Sequence, residues 1–489
     1  MSRFNTVVRP ARTTNLAGGT GFVQDPRNEL ASLLLTSFLG NKFYRSGAAE
    51  ADRIAALVAA DPLFAAKAAV FARNEFGMRS VSHVVAGEVT ECVKGEPWVR
   101  RFVEAVVRRP DDMTEIVAYR ASRYGIHPLP NSLKKGLRSA FGKFDRYQLA
   151  KYRAEGNAVS LVDVVNLVRP VPCERNAGAL ADLVEGSLVS EDTWEARLSA
   201  GGDKREAWDS LIFEDRLGYM ALLRNLRNIA QWAGDDALMM ALRRLADPER
   251  VHGSLVLPFR FYSAYLEIAK ADIRPARRGL ILGALSAACD AAVSNVPDLD
   301  GTTLIALDTS GSMTSGRISD RSGVTAAQIG ALFASALASR LAGKSFVLTF
   351  DTQVSQLAVN PADPVLTTTE RIVAGMRGGG TNMDLVFAHS EPVDRVIVLS
   401  DMQSWTNDGR WHGGNGYHRP AVDALGEYRR RTGADPMVYS FDLTGHGSLQ
   451  FPAGRCCQIA GWSEKVFDLF PHLERDRGAL VAAVDSVVF

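Results

Sequence analysis

The chain has 489 residues, of which 46% are hydrophobic and 23% are charged, and its formal net charge is +1. This composition is typical of a globular protein with more than one domain and excludes a disordered chain. No uncharged apolar run reaches the ~18 residues that a membrane helix needs, and the N-terminus has no apolar segment of the signal-peptide kind. The five cysteines form no disulfide framework. We therefore expect a cytoplasmic protein that uses no membrane.

Up to about residue 295 the hydrophobic pattern is helical. In the segment 28–39, Leu30, Leu33, Leu34 and Phe38 recur at spacings of three and four, as one buried helical face requires. Similar segments continue to residue 294, separated by short breaks with turn residues such as Asp61-Pro62. Although no strict period is present, the pattern favours paired helices stacked as an α-solenoid.

Near residue 300 the period changes, and short apolar strands alternate with helices. The predicted strands are 302–307, 345–350, 354–359, 395–399 and 437–442, and the predicted helices are 326–341, 370–376, 384–389 and 420–432. This alternation predicts a mainly parallel, doubly wound sheet covered on both faces. The expected fold class is thus α + α/β, with a helical-repeat domain over residues 1–298 and an α/β domain over 299–489.

The most specific local motif is Asp308-Thr309-Ser310-Gly311-Ser312, directly after an apolar strand. Two further oxygen-bearing residues follow later elements: Thr381 comes after three glycines, and Asp401 ends a strand. Carboxylate and hydroxyl oxygens suit a hard cation such as Mg²⁺. For the pentapeptide alone, a Ser/Gly-rich turn that caps the next helix is an equally good interpretation.

Together these residues resemble the metal-ion-dependent adhesion site of von Willebrand factor A domains. The resemblance implies that Ser310, Ser312 and Thr381 coordinate Mg²⁺ or another divalent cation directly. It also implies that Asp308 and Asp401 lie near the ion or reach it through water. Such a site leaves one coordination position for a carboxylate of a partner.

A basic window extends from Arg100 to Arg153, with 13 basic and five acidic residues. Lys134, Lys135 and Arg138 recur at helical spacings opposite an apolar stripe, while Tyr147 and Tyr152 could stack on bases. Clustered cations of this kind neutralise phosphates. A solvated helix face with core tyrosines remains the alternative on composition alone.

Several segments in order along the chain resemble the TROVE-domain family of Ro 60 kDa autoantigen-like proteins, including its bacterial members. The segments are 15–19 (NLAGG), 123–125 (RYG), 128–134 (PLPNSLK), 147–152 (YQLAKY), 163–170 (DVVNLVRP) and 221–226 (ALLRNL). The resemblance spans essentially the whole chain.

This resemblance implies a monomeric ring of HEAT-like repeats joined by the A domain. It implies small non-coding Y-like RNA on the outer surface, single-stranded ends of misfolded RNA in a central hole, and a role in RNA quality control as a ribonucleoprotein. A ribonuclease or another acidic protein is a further expected partner. The matching segments give as RNA-binding candidates Lys134, Lys135, Arg138, Lys151 and Arg153, with Arg120, Arg123, Lys143 and Arg146 as additional ones.

Some features depart from this pattern or stay outside it. The segment 159–168 lacks the histidine that animal members carry there, so the details of Y-RNA recognition could differ. Residues 405–418 form a Gly-rich insertion with Trp405, Trp411, His412 and His418, interpreted as a surface loop or a contact for a partner or RNA. The vicinal pair Cys456-Cys457 is expected to be inert.

Three functional classes remain to be separated. The first is a non-enzymatic RNA-binding protein, and the second is a protein-interaction scaffold that uses the metal site without binding RNA. A metal-dependent hydrolase is the third, although no general base is evident beside Asp308 or Asp401.

Overall fold

The computed structural model describes residues 12–14, 20–22, 25–36, 47–153, 156–188, 203–315, 317–319, 322–389, 391–402, 420–443, 451, 456–460, 470 and 479–489. The chain forms two compact units. The helical unit comprises residues 26–40, 46–201 and 478–489, and the mixed unit comprises residues 1–25, 41–45 and 202–477. Within the described ranges, no helix has both the length and the apolar character needed to cross a bilayer.

The helical unit is built from short helices joined by tight breaks. They are α1 (Pro26–Thr36), α2 (Gly47–Ala60), α3 (Pro62–Asn74), α4 (Ser80–Cys92), α5 (Pro97–Val106), α6 (Pro110–Tyr124), α7 (Asn131–Ala140), α8 (Arg146–Lys151), α9 (Leu161–Val168) and α10 (Ala177–Glu185). A further segment, Ala479–Asp485, is here called the returning helix and packs against α1 and α3. The sequence patterns do not predict this helix.

Local chemistry explains where these helices begin. Proline occupies the first position of α3, α5 and α6, where no backbone donor is needed. The Asp61 side chain accepts from the backbone N–H of Phe64 at 3.2 Å, which caps α3. Ser160 and Asp163 form a reciprocal capping box at the start of α9.

A buried carboxylate joins α3, α4 and α6. Asp112 accepts hydrogen bonds from the side chains of Arg73 at 2.8 Å, Arg79 at 2.8 Å and His83 at 3.0 Å. The backbone N–H groups of Arg108 and Arg109 add two more, each at 2.9 Å. Burial by itself would raise the pKa of Asp112, but these donors hold it far below its ordinary value. The network therefore fixes three helices around one charge.

Helices α5 and α7 approach each other closely. A Cβ atom at Gly136 would lie 2.6 Å from Cβ of Val103 and 2.9 Å from the carbonyl oxygen of Arg100. Only glycine fits this contact without displacing backbone. The apolar side of α7, with Leu133 and Leu137 fully buried, faces the core.

The mixed unit contains helices that precede a sheet. The helices are α11 (Lys204–Phe213), α12 (Tyr219–Arg224), α13 (Leu226–Trp232), α14 (Asp235–Leu245), α15 (Pro248–Ser254), α16 (Pro258–Lys270) and α17 (Pro275–Ala292). The mixed unit also contains two antiparallel strand pairs, β1 (Arg12–Thr14) with β2 (Thr20–Phe22), and β4 (Arg317–Ser319) with β5 (Ser322–Thr325).

The sheet and its helices alternate along the chain. They are β3 (Thr303–Asp308), α18 (Gly311–Ser315), α19 (Ala326–Arg340), β6 (Ser345–Phe350), β7 (Val354–Leu357), α20 (Val365–Ala374), α21 (Asp384–His389), β8 (Arg395–Ser400), α22 (Ala421–Thr432), β9 (Met437–Asp442) and β10 (Cys456–Ala460). The strand order is β10-β9-β8-β3-β6-β7, and every neighbouring pair is parallel except β6 with β7.

This architecture confirms the predicted fold class, helices followed by a mainly parallel α/β sheet. The central strands β3 and β8 are buried along their whole length, which explains their continuous apolar sequences. The edge strand β10 is an addition that the sequence analysis does not predict. The sequence changes from a helical pattern to alternating strands and helices near residue 298, between α17 and β3. This position lies inside the mixed unit, whereas the two units divide near residue 202. The domain boundary at 298 therefore stays a prediction.

Candidate functional site

The carboxyl ends of β3 and β8 place two acidic residues in the interior. Asp308 ends β3, Asp401 follows β8, and both side chains are buried. Asp308 accepts from the backbone N–H of Ser310 at 2.8 Å and from the hydroxyl of Ser400 at 2.6 Å. Burial, and then the nearby Asp401 carboxylate, raise the pKa of Asp308 above its ordinary value.

Hydroxyl groups surround this acidic pair. The Oγ atoms of Ser310 and Ser312 lie 3.1 Å apart. The backbone N–H of Gly311 donates to the carbonyl of Gly379 at 3.0 Å, which brings the glycine loop and the buried Thr381 toward the β3 loop.

The backbone conformation of the second loop favours glycine. Gly378 has a φ of +72°, in the left-handed region that residues with a Cβ rarely adopt. The structure thus brings the predicted metal-ligating residues to one edge of the sheet. Because two buried carboxylates repel each other and hydroxyl oxygens complete the set, this donor set fits a hard divalent cation.

A second candidate site is the exposed side of α7. Lys135 and Arg138 are exposed, and Lys134 is half-buried. Among the described residues, no hydrogen bond or ion pair involves the side chain of Lys134 or Lys135. Arg138 donates from Nε to the carbonyl of Val168 at 2.7 Å, which ties α7 to the end of α9.

Two arginines from distant parts of the sequence join this surface. Arg100 of α5 donates from Nη2 to Oγ of Ser139 at 2.8 Å. Arg169 follows Val168 in the left-handed conformation, with a φ of 50°, and is exposed. We call this set the α7 cationic face: Arg100, Lys134, Lys135, Arg138 and Arg169. Arg100 and Arg169 are not among the RNA contacts predicted from the sequence, although Arg100 lies in the basic window and Arg169 in the segment 163–170.

Two residues predicted to contact RNA bind other parts of the protein through buried or half-buried side chains. Arg120 is buried, with Nε 2.7 Å from Glu91 and Nη2 2.8 Å from the carbonyl of Pro128, so its guanidinium is enclosed by protein. Lys143 is half-buried and donates to the carbonyl of Val107 at 3.1 Å and to that of Glu104 at the end of α5. Burial lowers its pKa. These contacts compete with an RNA phosphate for both side chains, and their RNA contacts stay predictions.

The remaining predicted cations all have protein partners. Arg123 pairs with Asp52 at 2.7 Å, and Arg146 pairs with Asp182 at 2.5 Å. Arg153 donates to the carbonyl of Leu188 at 2.6 Å. These partners compete with an RNA phosphate, although all three side chains reach the surface at least in part.

The tyrosines of the basic window differ in their access. The Lys151 ammonium lies 5.6 Å from the ring centre of Tyr147, which is 39% exposed. The guanidinium of Arg109 stacks 4.2 Å from the ring centre of Tyr152 and covers it. Of the two, Tyr147 therefore retains the more accessible ring.

The other residues singled out in the sequence are those of the Gly-rich insertion and the vicinal cysteine pair. Trp405, Trp411, His412 and His418 lie outside the described residues, as does the segment 15–19. Cys456 and Cys457 are reduced thiols on β10. Burial raises the pKa of Cys457 to about 12, which keeps this thiol protonated at neutral pH.

Comparison with known proteins relates the chain to one family. The sequence profile of the TROVE domain matches residues 44–185 and 186–300, more than half of the chain. The chain is 24% identical over 308 residues to telomerase protein component 1 of Rattus norvegicus, covering 45% of this chain and 12% of that protein. It is 29% identical over 243 residues to the RNA-binding protein RO60 of Deinococcus radiodurans, covering 46% of this chain and 43% of that protein. The matches thus span less than half of these relatives' own length.

The fold also has a solved counterpart. The crystal structure of the Deinococcus radiodurans RO (RSR) protein superposes with a TM-score of 0.62 at 18% identity, covering 95% of this chain and 100% of that chain. At this identity the likeness concerns the fold alone.

Proposed function

Because the chain belongs to the TROVE-domain family, we propose that it binds RNA and that the α7 cationic face is its principal contact surface. The observation that carries this proposal is the pair Lys134 and Lys135, two cations without a carboxylate partner among the described residues. Two neighbouring ammonium groups repel each other, and an RNA phosphate backbone relieves that repulsion.

The support beneath this face favours a defined docking surface. Gly136 sets the close contact of α7 with α5, and Arg138 ties α7 to α9. The Lys134 and Lys135 ammonium groups therefore extend from a helix whose backbone is held on two sides. Cations on a rigid helix are suited to contact the phosphate backbone of a folded RNA. They are less suited to recognise a particular base sequence.

We therefore infer that the ligand is a small structured non-coding RNA of the Y-like type, and that single-stranded ends of misfolded RNA form a second class. The name of the bacterial relative, an RNA-binding protein, supports RNA as the general class of ligand. The proposed role is a cytoplasmic ribonucleoprotein in RNA quality control, with no catalytic step assigned to this chain.

The test replaces Lys134 and Lys135 together by glutamate and measures the dissociation constant for a structured small RNA at several KCl concentrations. We expect at least 10-fold weaker binding at 100 mM KCl. We also expect the slope of log Kd against log salt concentration to fall by about 1–2, since each lost phosphate contact removes roughly 0.7–0.9 from it. The matched control, Lys270→Glu with Lys344→Glu, makes the same change in net charge at two exposed lysines of the mixed unit and should leave both quantities nearly unchanged.

Two outcomes would contradict the proposal. An unchanged affinity and slope in a folded Lys134/Lys135 variant would remove the α7 cationic face from the RNA interface. A wild-type chain that binds no RNA, but copurifies with proteins, would favour the protein-interaction scaffold.

We also propose that Ser310, Ser312 and Thr381, with Asp308 and Asp401, hold Mg²⁺ or another divalent cation in a domain of the von Willebrand A type. When bound, the ion would offset the two buried negative charges and offer a coordination position to an acidic partner protein. Asp308→Ala should abolish Mg²⁺ binding in equilibrium dialysis and leave RNA affinity within 2-fold. Asp300→Ala, at an exposed residue, is the control. Undiminished Mg²⁺ binding by a folded Asp308→Ala chain would contradict the site.

A further inference from the structure

A cavity of about 360 Å³ opens in the mixed unit, among the helices that precede the sheet. Its walls come from α11, α13, α14 and α17, and the polar and aromatic residues that line it are Arg205, Trp232, Asp235, Asp272, Arg274 and Arg277. This volume lies within the ~300–1,000 Å³ of ordinary ligand sites.

Trp232 gives this cavity an accessible aromatic surface. Its side chain ends α13 and remains 40% exposed, unusual for the largest apolar side chain. The ammonium group of Lys204 lies 4.6 Å from its ring centre. A lysine in this position is a flexible cover that a flat aromatic ligand can displace, and its charge then stays beside the ligand.

The cavity wall combines a fixed ion pair with a cation that is available to a ligand. Arg277 donates to Asp235 at 2.5 Å and to the carbonyl of Ala230 at 3.0 Å, which fixes both partners. Arg274, just before α17, is exposed and has no hydrogen bond or ion pair to another described side chain.

The charge balance of the cavity is positive. The cations Lys204, Arg205, Arg274 and Arg277 face the carboxylates Asp209, Asp235 and Asp272. Asp209 lies 3.7 Å from Arg205, and Asp235 is bound by Arg277. Lys204 and Arg274 then stand against the single carboxylate of Asp272, which leaves a net charge of about +1 for a ligand.

We propose that this cavity binds one nucleotide of a single-stranded RNA segment, with the base stacked on Trp232 and the phosphate on Arg274. An exposed indole beside unpaired cations is the combination by which proteins hold single strands without reading their sequence. The inference rests on the proposed RNA-binding function, but it concerns residues of the mixed unit and not the α7 cationic face.

The test uses the full chain and two unstructured RNA decamers, one with bases and one with abasic positions in its centre. Trp232→Ala should weaken binding of the base-bearing decamer by roughly 5- to 100-fold, the usual loss for one stacked base. Trp232→Phe should retain most of the affinity, and neither change should affect the abasic decamer. Arg274→Ala should weaken both decamers. Phe213→Ala, at a side chain of the same unit that is 51% exposed, is the matched control and should change neither.

The outcomes separate this inference from the function on which it rests. If the Lys134/Lys135 variant loses RNA while folded Trp232→Ala binds the base-bearing decamer normally, the Trp232 site is wrong and the proposed function stands. Equal losses for both decamers in Trp232→Ala would also overturn stacking, because the indole would then support only the fold. If the wild-type chain binds neither decamer and no structured RNA, both proposals fall.

Discussion

Replacing Asp112 by asparagine removes the charge at the centre of the network that joins α3, α4 and α6. The side chain is buried and accepts from Arg73, Arg79, His83 and two backbone N–H groups. The Asp112→Asn side chain would keep the shape but turn one acceptor into a donor that faces arginine. Breaking a buried ion pair by removing one partner costs about 3–5 kcal/mol of unfolding free energy. We expect a loss in that range at pH 7.

The pH dependence provides a second, independent signature. The pKa of Asp112 lies far below its ordinary value of 3.8 in the folded chain. Below about pH 3.8, Asp112 takes up a proton in the unfolded chain but stays ionised in the folded chain. The contribution of Asp112 to the unfolding free energy therefore falls as the pH falls. The difference in unfolding free energy between wild type and Asp112→Asn should therefore shrink by roughly 1 kcal/mol per pH unit below about pH 4.

Urea unfolding followed by circular dichroism measures both quantities, and hydrogen exchange of peptides from residues 62–124 localises the loss. Asp111→Asn is the matched control, because Asp111 pairs with Arg79 and Arg109 at a partly exposed position where such pairs contribute about 1 kcal/mol or less. If Asp112→Asn costs no more than Asp111→Asn, or if its effect does not depend on pH, the network does not hold these helices together.

Two further changes test the surroundings of the α7 cationic face. Gly136→Ala places a Cβ 2.6 Å from Val103, so we expect a loss of about 1–3 kcal/mol in urea unfolding. Gly142→Ala, which meets nothing within 4 Å, should be nearly neutral, and equal losses in the two would refute the packing argument. Arg120→Ala should lower the unfolding free energy by a similar amount, because it removes the hydrogen bonds of a buried guanidinium to Glu91 and to the carbonyl of Pro128. It should not alter the salt dependence of RNA binding, and a reduced slope would restore Arg120 as an RNA contact.

The sheet could be predicted well from local sequence because its buried strands are continuous apolar runs. The predicted strands 345–350 and 437–442 have the same bounds in the structure. The helix expected over 370–376 instead covers Val365–Ala374, because Thr368 and Thr369 are buried and their hydroxyls obscure the apolar pattern. The residues proposed for the metal site could be grouped in advance because the carboxyl ends of parallel strands meet at one edge.

The cationic surface was less predictable, since a charge in a sequence does not show its partner. Arg120 lies 29 residues from Glu91, and Arg146 lies 36 residues from Asp182. Conversely, Arg169 is distant from Lys134 in the sequence. It joins the α7 cationic face because Arg138 of α7 donates to the carbonyl of Val168, the residue that precedes Arg169. The exposure of Trp232 could not be predicted from the sequence, because it depends on how the four helices around the cavity pack.

The returning helix has a consequence for the order in which the protein is made. It packs on α1 and α3, and the ring of Phe489 lies 5.7 Å from that of Phe102 and 6.2 Å from that of Trp98. At about 5–20 residues per second, a ribosome needs roughly 20–75 s to travel from α5 to residue 489. During that interval the nascent helices expose the apolar surface that residues 479–489 will cover. A chaperone that shields this surface during translation should therefore raise the yield of soluble protein, and a stop codon at position 478 should leave the surface permanently open.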